Sequence, residues 1–253
     1  MLALQRQQRI RQLLAGEGTV RTVDLARDLR VSEETVRRDF EKLEQEGVLV
    51  RTHGGASKID LNRRDFPFRE RVEQNAAGKL RIARKALEQV KPGATLFFDA
   101  STSVLQLATI LPEIPLRLVT NGLQTACALS ERSTFEVSVL GGGLSAMSLS
   151  CTGWSAEWGL LRQRIDLAFI SCRGLDPNRG ISEAVEENAR LKSKVIEHAA
   201  RTILLADHSK VGVTSNFFLA EDAEIDLWIT DQPLPREWLK SDCVLGKRVE
   251  VAG

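Results

Sequence analysis

The sequence predicts an α/β protein in two unequal parts, a small, mostly helical N-terminal part and a larger C-terminal part built on a mostly parallel sheet. Three observations carry that prediction. Within residues 1–56, apolar residues recur at three- and four-residue steps through three short segments, and a β-branched run with a glycine turn follows the third. From residue 74 onward, short continuous apolar runs alternate with helical stretches, the pattern of strands buried on both faces. The chain of 253 residues suffices for one small and one ordinary domain, read as 1–56 and 74–253, with 57–73 as a polar linker.

Composition narrows the function. The chain is 43% hydrophobic and 27% charged, ordinary for a globular protein, and no run approaches the roughly 20 apolar residues of a membrane span. Met1 to Arg11 is too polar for a signal peptide, so a cytoplasmic location with no membrane partner is expected. Cys127, Cys151, Cys172 and Cys243 have no paired spacing, and His53, His198 and His208 form no ligand cluster. Neither a metal nor a cofactor is expected. Net charge is +1, and residues 1–56 carry ten Lys and Arg against nine Asp and Glu. Binding to nucleic acid therefore has to come from the placement of charge.

The first helix is expected from about Leu4 to Ala15, with Ile10, Leu13 and Leu14 inward and Gly16 and Gly18 stopping it. Thr22 then caps a short helix, Val23 to Leu29, with Leu25, Ala26 and Leu29 inward. After a turn at Arg30-Val31, Ser32 is a good N-cap for a third helix, with Glu33 and Glu34 where the helix dipole favours negative charge. Val36, Phe40 and Leu43 make its apolar stripe and leave Ser32, Thr35, Arg37, Arg38 and Glu41 on the other side. Asp39 is expected to pair with Arg38 or with an arginine of the first helix.

Gly47 ends this helix, and Val48 to Thr52 reads as a strand leading to the turn His53-Gly54-Gly55-Ala56. A helix-turn-helix followed by a small hairpin is the winged-helix plan, with Arg51 and His53 as candidate wing contacts to DNA. His53 serves equally well as a loop residue bonding its own turn.

The string Leu25-Ala26, Val31-Ser32-x-x-Thr35-Val36-Arg37-Arg38-Asp39-Phe40-x-x-Leu43, Gly47 and His53-Gly54-Gly55-Ala56 resembles the N-terminal signature of DeoR-family transcriptional regulators. That resemblance implies that Ser32, Thr35, Arg37 and Arg38 touch double-stranded operator DNA, the arginines reading guanine edges or phosphates.

In the C-terminal part, strands are expected at 95–98, 116–119, 135–140, 167–170, 202–205, about 225–229 and 249–251, with helices between them. Ligands of such sheets bind at the carboxyl ends of strands. Those positions hold Asp99, Ser101 and Thr102, then Asn121, then Gly141 and Gly142, then Ser171, and finally Lys210. Hydroxyls, an amide, helix-start amides and a lysine together suit a small polyhydroxylated anion, with phosphate at a helix N-terminus. Taken singly, Asp99 and Ser101 are equally helix caps, and the glycines a tight turn.

This part also resembles the sugar-phosphate-sensing domain of the same family, whose fold is related to ribose-5-phosphate isomerase. The matching elements include Phe68-x-x-Arg71-x-x-x-Asn75-x-x-x-Lys79, Asp99-x-Ser101-Thr102, Val119-Thr120-Asn121, Gly141-Gly142, Gly180-Ile181-Ser182, Lys192 and Asp207-x-Ser209-Lys210. By that resemblance Lys192 joins the effector site. The family often has glycine or serine where Ala100 stands, and arginine where Ser145 stands. Loss of that arginine points to weaker binding or to an effector other than a typical hexose phosphate.

The resemblance implies a regulator, most simply a repressor of a carbohydrate-utilisation operon, acting as a homodimer or homotetramer and released from DNA by a sugar phosphate. The competing reading is a sugar-phosphate isomerase with a DNA-binding appendage. It is disfavoured because the loop reads Ser171-Cys172-Arg173-Gly174 with Asp176 as its nearest acid, and Glu183, Glu186 and Glu187 read as the solvated start of a helix. A redox sensor using Cys151 or Cys172 is the third reading, with Arg173 placed to lower the Cys172 pKa; a packed thiol is expected instead. Trp154 and Trp158, one turn apart, are expected in the core rather than at a subunit contact.

Overall fold

The computed structural model describes residues 2–58, 65–219, 225–236, 238 and 249–253. Cys243, Arg63, Arg64 and the side chain of Lys58 lie outside the described residues. The chain divides into two compact units, Met1–Leu61 and Asn62–Gly253.

The N-terminal unit runs α1 (Ala3–Glu17), β1 (Thr19–Arg21), α2 (Thr22–Leu29), α3 (Glu33–Gln45), β2 (Leu49–Thr52) and β3 (Gly55–Lys58). Its core takes Ile10 and Leu14 from α1, Leu25 and Leu29 from α2, and Val36, Phe40 and Leu43 from α3. The helical periodicities thus converge on one centre. The strands pair antiparallel in the order β1-β3-β2, which makes the unit a winged helix-turn-helix.

Two local expectations are corrected, and one strand is added. Gly16 lies inside α1, and only Gly18, at φ +73°, ends it. Thr22 is the buried first residue of α2 rather than its cap, and its amide donates to the Gly54 carbonyl at 2.9 Å. The short strand β1, too polar to stand out, crosses so close to β3 that a side chain at Gly55 would meet the Val20 carbonyl.

In the C-terminal unit come α4 (Phe68–Glu73), α5 (Ala76–Ala86), β4 (Thr95–Phe98), α6 (Thr102–Thr109), β5 (Leu116–Thr120), α7 (Leu123–Ser130) and β6 (Phe135–Val139). There follow β7 (Gly143–Ser145), β8 (Ser150–Thr152), α8 (Trp154–Leu161), β9 (Leu167–Ile170), β10 (Gly174–Asp176) and β11 (Gly180–Glu183). The remainder is α9 (Glu186–His198), β12 (Thr202–Leu205), β13 (Phe217–Phe218), β14 (Leu227–Thr230) and β15 (Val249–Val251). The seven strands of the main sheet are all parallel, in the order β15-β14-β12-β9-β4-β5-β6. α4 falls within the stretch read as linker, because Phe68 is an apolar anchor buried in the C-terminal unit.

Both faces of the sheet are buried, and the strand period of two shows directly. Leu96 and Phe98 pack with Phe169, Ile203 and Leu205 against α5, α6 and α7. Phe97 turns the other way and packs with Ala168, Ile170, Leu204 and Trp228 against α8 and α9. The chain moves outward from β4 through β5 to β6, then returns to β9 on the other side of β4 and moves outward again. The winding therefore reverses between β4 and β9, which opens a crevice at their carboxyl ends.

Two short accessory sheets, β7-β8 and β10-β11-β13, have no counterpart in the sequence reading, since pieces of two to four residues leave no periodic signal. Trp154 and Trp158 are also corrected. They are 71% and 48% exposed on α8, stacked with ring centroids 5.7 Å apart, while Ala156 and Leu160 form the inward face. Among the described residues, no helix is long and apolar enough to cross a membrane.

Candidate functional site

In the N-terminal unit, α3 begins where Ser32 caps it, its hydroxyl accepting from the Thr35 amide at 3.2 Å. The buried stripe Val36, Phe40 and Leu43 fixes the rotation of the helix, so Ser32, Arg37 and Arg38 are exposed and Thr35 is half-buried beside them. Arg37 pairs with Glu33 at 3.3 Å and Arg38 with Glu34 at 3.2 Å, both one turn apart and exposed. Such pairs are worth only about 0.3–0.5 kcal/mol, so they keep the guanidiniums aligned yet exchangeable for phosphate or base oxygens.

Asp39 explains its own position. Buried, it accepts from Arg6 of α1 at 2.7 Å and from the Gln7 amide at 3.2 Å. Of the two partners expected for it, the helix-1 arginine is the one observed, and Arg38 is left to the surface.

On the hairpin, Arg51 is held by α3. Its guanidinium donates to Glu44 at 2.7 Å and to Glu41 at 3.0 Å, and the Glu44 carboxyl is lowered below the usual range by the Arg51 amide and side chain. Arg51 therefore ties the wing to α3. His53 is exposed at the hairpin turn, and Arg37, Arg51 and His53 line one groove between helix and hairpin.

The second site is a cleft in the C-terminal unit, at the β4/β9 reversal. It is lined by Asp99, Ala100, Ser101, Thr102 and Ser103, by Asn121, by Ser171, Cys172 and Arg173, and by Lys192 and Lys210, among others. Ser101 caps α6, its hydroxyl accepting from the Val104 amide at 3.3 Å, so the free first-turn amides of α6 open into the cleft.

Asp99 bridges the reversal. Its carboxylate accepts from the Ser101 amide on one side and from the Ser171 amide, after β9, on the other, each at 2.9 Å. Lys192 reaches in from α9 and meets Asp99 at 3.0 Å, Glu183 at 2.5 Å and the Ser171 carbonyl at 2.7 Å. Burial opposes the charge of this ammonium, but the two carboxylates outweigh it and raise the Lys192 pKa. Glu183 is thereby corrected: it ends β11, buried in the cleft, and is not the solvated start of a helix.

Cations outnumber carboxylates around the cleft. Arg71, Lys79, Arg173, Lys192 and Lys210 face Asp65, Asp99 and Glu183. Burial pushes the Lys79 ammonium down to about 8, and Asp207 only partly offsets this. Burial likewise lowers Lys210, whose ammonium has no hydrogen-bond partner among the described residues. Among the described residues, two acceptors in the wall lack donors: the Oδ1 of Asn121, whose Nδ2 donates to the Cys151 carbonyl at 3.1 Å, and the Oδ2 of Asp65. A cleft with surplus positive charge, open helix amides and orphan acceptors has the chemistry to hold an anion that carries hydroxyl groups.

Of the residues read from the sequence, Asp99, Ser101, Thr102, Asn121, Ser171, Lys192 and Lys210 meet in this cleft. Gly141 and Gly142 do not line it, because β6 is an edge strand two places from the reversal. Gly142, at φ +125°, instead gives room to the Thr152 carbonyl, against which any side chain would collide. Ser145 lies on β7 outside the cleft, its hydroxyl accepting from the Ser148 amide, and Ala100 packs against Gly122.

The sequence reading assigned no site role to Asp65, Arg71, Lys79, Ser148, Ser150, Arg173, Glu183 and Asn188, which also line the cleft. Arg71 and Lys79 left a trace in their four-residue spacing with Asn75, although Asn75 stands at the break between α4 and α5. Cys172 is buried in the wall, and burial pushes its thiol up to about 12; Arg173 does not activate it. Among the described residues, no cluster of His, Cys, Asp and Glu is placed to hold a metal ion.

Residues 6–61 match the family model described as the DeoR-like helix-turn-helix domain, and residues 74–232 match the DeoR C terminal sensor domain. The chain is 38% identical over 234 residues to the uncharacterized HTH-type transcriptional regulator YulB of Bacillus subtilis, covering 92% of this chain and 91% of that protein. It is 30% identical to the glycerol-3-phosphate regulon repressor of Escherichia coli, with 93% of each chain covered. Among solved structures, ribose 5-phosphate isomerase A of Methanocaldococcus jannaschii aligns over 55% of each chain with a TM-score of 0.41 and 14% identity.

Proposed function

Because the chain belongs to the DeoR family of transcriptional regulators, we propose that it represses a carbohydrate-utilisation operon and leaves its operator when a phosphorylated sugar fills the C-terminal cleft. One observation carries the effector half of this reading. At the carboxyl ends of β4 and β9, a surplus of cations and the open N-terminus of α6 face unpartnered acceptors at Asn121 and Asp65. The phosphate would take the α6 amides with Lys210 as counter-charge, and sugar hydroxyls would donate to the acceptors. The name of the Escherichia coli relative, a glycerol-3-phosphate regulon repressor, accords with a phosphorylated effector.

For the DNA half, Ser32, Thr35, Arg37 and Arg38 on the open face of α3 would enter the major groove, with Arg51 and His53 beside them on the wing. The net charge of +1 gives no general attraction, so affinity rests on these few contacts. A single wing unit reads a short site, and a homodimer or homotetramer would present paired units to repeated half-sites.

A thermal-shift screen of sugar phosphates, followed by a gel shift on DNA upstream of the gene with and without the hit, tests the whole reading. A second reading, sugar-phosphate isomerase activity, is favoured by one observation: Glu183 places a carboxylate inside the cleft. Its tie to Lys192 at 2.5 Å argues for a structural role, and the protein is expected not to be an enzyme. Turnover of ribose 5-phosphate or a hexose phosphate by the purified protein would reverse that choice.

A further inference from the structure

One wall of the cleft is built by the segment Asp65–Gln74, whose Asp65, Arg71 and Gln74 line it. This segment includes α4 and opens the described part of the C-terminal unit, continuous in the chain with the DNA-binding unit before it.

Its attachment is unusual in where the fastenings lie. The Arg71 carbonyl accepts from two cleft-lining donors, the Lys79 ammonium and the Thr102 hydroxyl, the latter at 3.3 Å. The Arg71 guanidinium, also in the lining, donates outward to the Ser148 carbonyl at 3.5 Å, while its bond to the Phe66 carbonyl at 3.1 Å lies within the segment. Arg173 lies over the Phe66 ring at 5.1 Å. Outside the lining, the fastenings are the buried Phe68 ring and the Phe68 amide, which donates to the Met147 carbonyl at 2.9 Å.

Asp65 adds a second, independent sign. Among the described residues its Oδ2 is buried at the cleft with no hydrogen-bond partner; the nearby charge of Arg173 offsets this only electrostatically, and a ligand hydroxyl would supply the missing donor.

Resting on the sugar-phosphate reading above, we propose that Asp65–Gln74 is a ligand-reading strap: Asp65 accepts a hydroxyl of the bound sugar, and the anion draws Lys79 and Thr102 from the Arg71 carbonyl. An anion at the α6 N-terminus is a stronger partner for both donors than a neutral carbonyl. Filling the cleft then exchanges one set of fastenings for another, and the strap changes its seat. This supplies the differential affinity for two states that any ligand-driven switch requires.

Three measurements on the full chain test this, using glucose 6-phosphate, fructose 6-phosphate, ribose 5-phosphate and glycerol 3-phosphate as probes, with inorganic phosphate as the bare anion. If none of the organic phosphates binds the unaltered protein, the effector reading itself fails, and the strap with it. Given a binder, Asp65→Leu is expected to lower its affinity tenfold or more while leaving inorganic phosphate binding unchanged or tighter. Equal losses for both would overturn the hydroxyl contact. Phe68→Ala, outside the lining, is expected to keep sugar-phosphate affinity within about threefold but to lose most of the ligand-induced change in DNA affinity. An undiminished change would overturn the strap. Hydrogen exchange on the unaltered protein needs no substitution: saturating sugar phosphate is expected to change the protection of residues 65–74, and unchanged protection there would also overturn it.

Discussion

The Lys192 ammonium lies 3.0 Å from the Asp99 carboxylate, and Asp99 in turn holds the amides on both sides of the point where the sheet reverses its winding. Lys192 is thus the keystone of the cleft as well as part of its wall. Replacing it with methionine leaves Asp99 and Glu183 buried without their cation, a defect that typically costs about 3–5 kcal/mol. Urea denaturation followed in the C-terminal unit is expected to show a loss of that order for Lys192→Met. Adding Glu183→Gln should recover part of it.

Arg38 makes the opposite case. With its side chain 75% exposed and paired, among the described residues, with Glu34 alone, Arg38→Ala should abolish operator binding in a gel shift while lowering stability by less than about 1 kcal/mol. Undiminished binding would remove Arg38 from the DNA contacts.

Asp39 separates folding from recognition on the same helix. It is 4% exposed and binds Arg6 and Gln7, so Asp39→Ala leaves the Arg6 guanidinium without its carboxylate. The expected cost is about 2–4 kcal/mol in thermal or chemical unfolding of the N-terminal unit, with DNA binding lost as a consequence.

The buried Lys79 gives the cleft a pH dependence. Burial lowers its pKa to about 8 from the ordinary 10.5, so between these values the unfolded chain carries a proton that the folded one lacks. Stability from this group therefore rises with pH across that window. An anion beside Lys79 favours the charged form and takes up a proton on binding, so sugar-phosphate affinity is expected to fall as pH rises from 7 to 9. Calorimetric titration across that range checks it, and Lys79→Met should flatten the profile.

β4, β9 and β12 were legible because each is an almost unbroken apolar run; they fall on the expected residues, as does β15, although β5, β6 and β15 each carry a charged residue. The open face of α3 was legible for a similar reason, since the Val36-Phe40-Leu43 stripe fixes which side turns outward. The cleft was legible only in part. Asp99, Asn121, Ser171 and Lys210 follow strand ends, where topology alone predicts a ligand. Arg71, Lys79 and Glu183 reach the same place from α4, α5 and β11, and no local pattern states which way such side chains turn. The exposed Trp154 and Trp158 show the converse limit, since residue type alone cannot tell a core tryptophan from a surface one.

On the proposed function, one molecule senses a sugar phosphate in the C-terminal unit and reports it through the N-terminal one. The most direct test is the affinity of the full chain for DNA upstream of its gene, measured by fluorescence anisotropy at fixed salt, with and without each phosphorylated sugar. At least one sugar phosphate is expected to weaken DNA binding tenfold or more, while the same sugar without phosphate and inorganic phosphate do not. Saturating sugar phosphate that leaves DNA affinity unchanged, or strengthens it, would rule out release by a sugar phosphate.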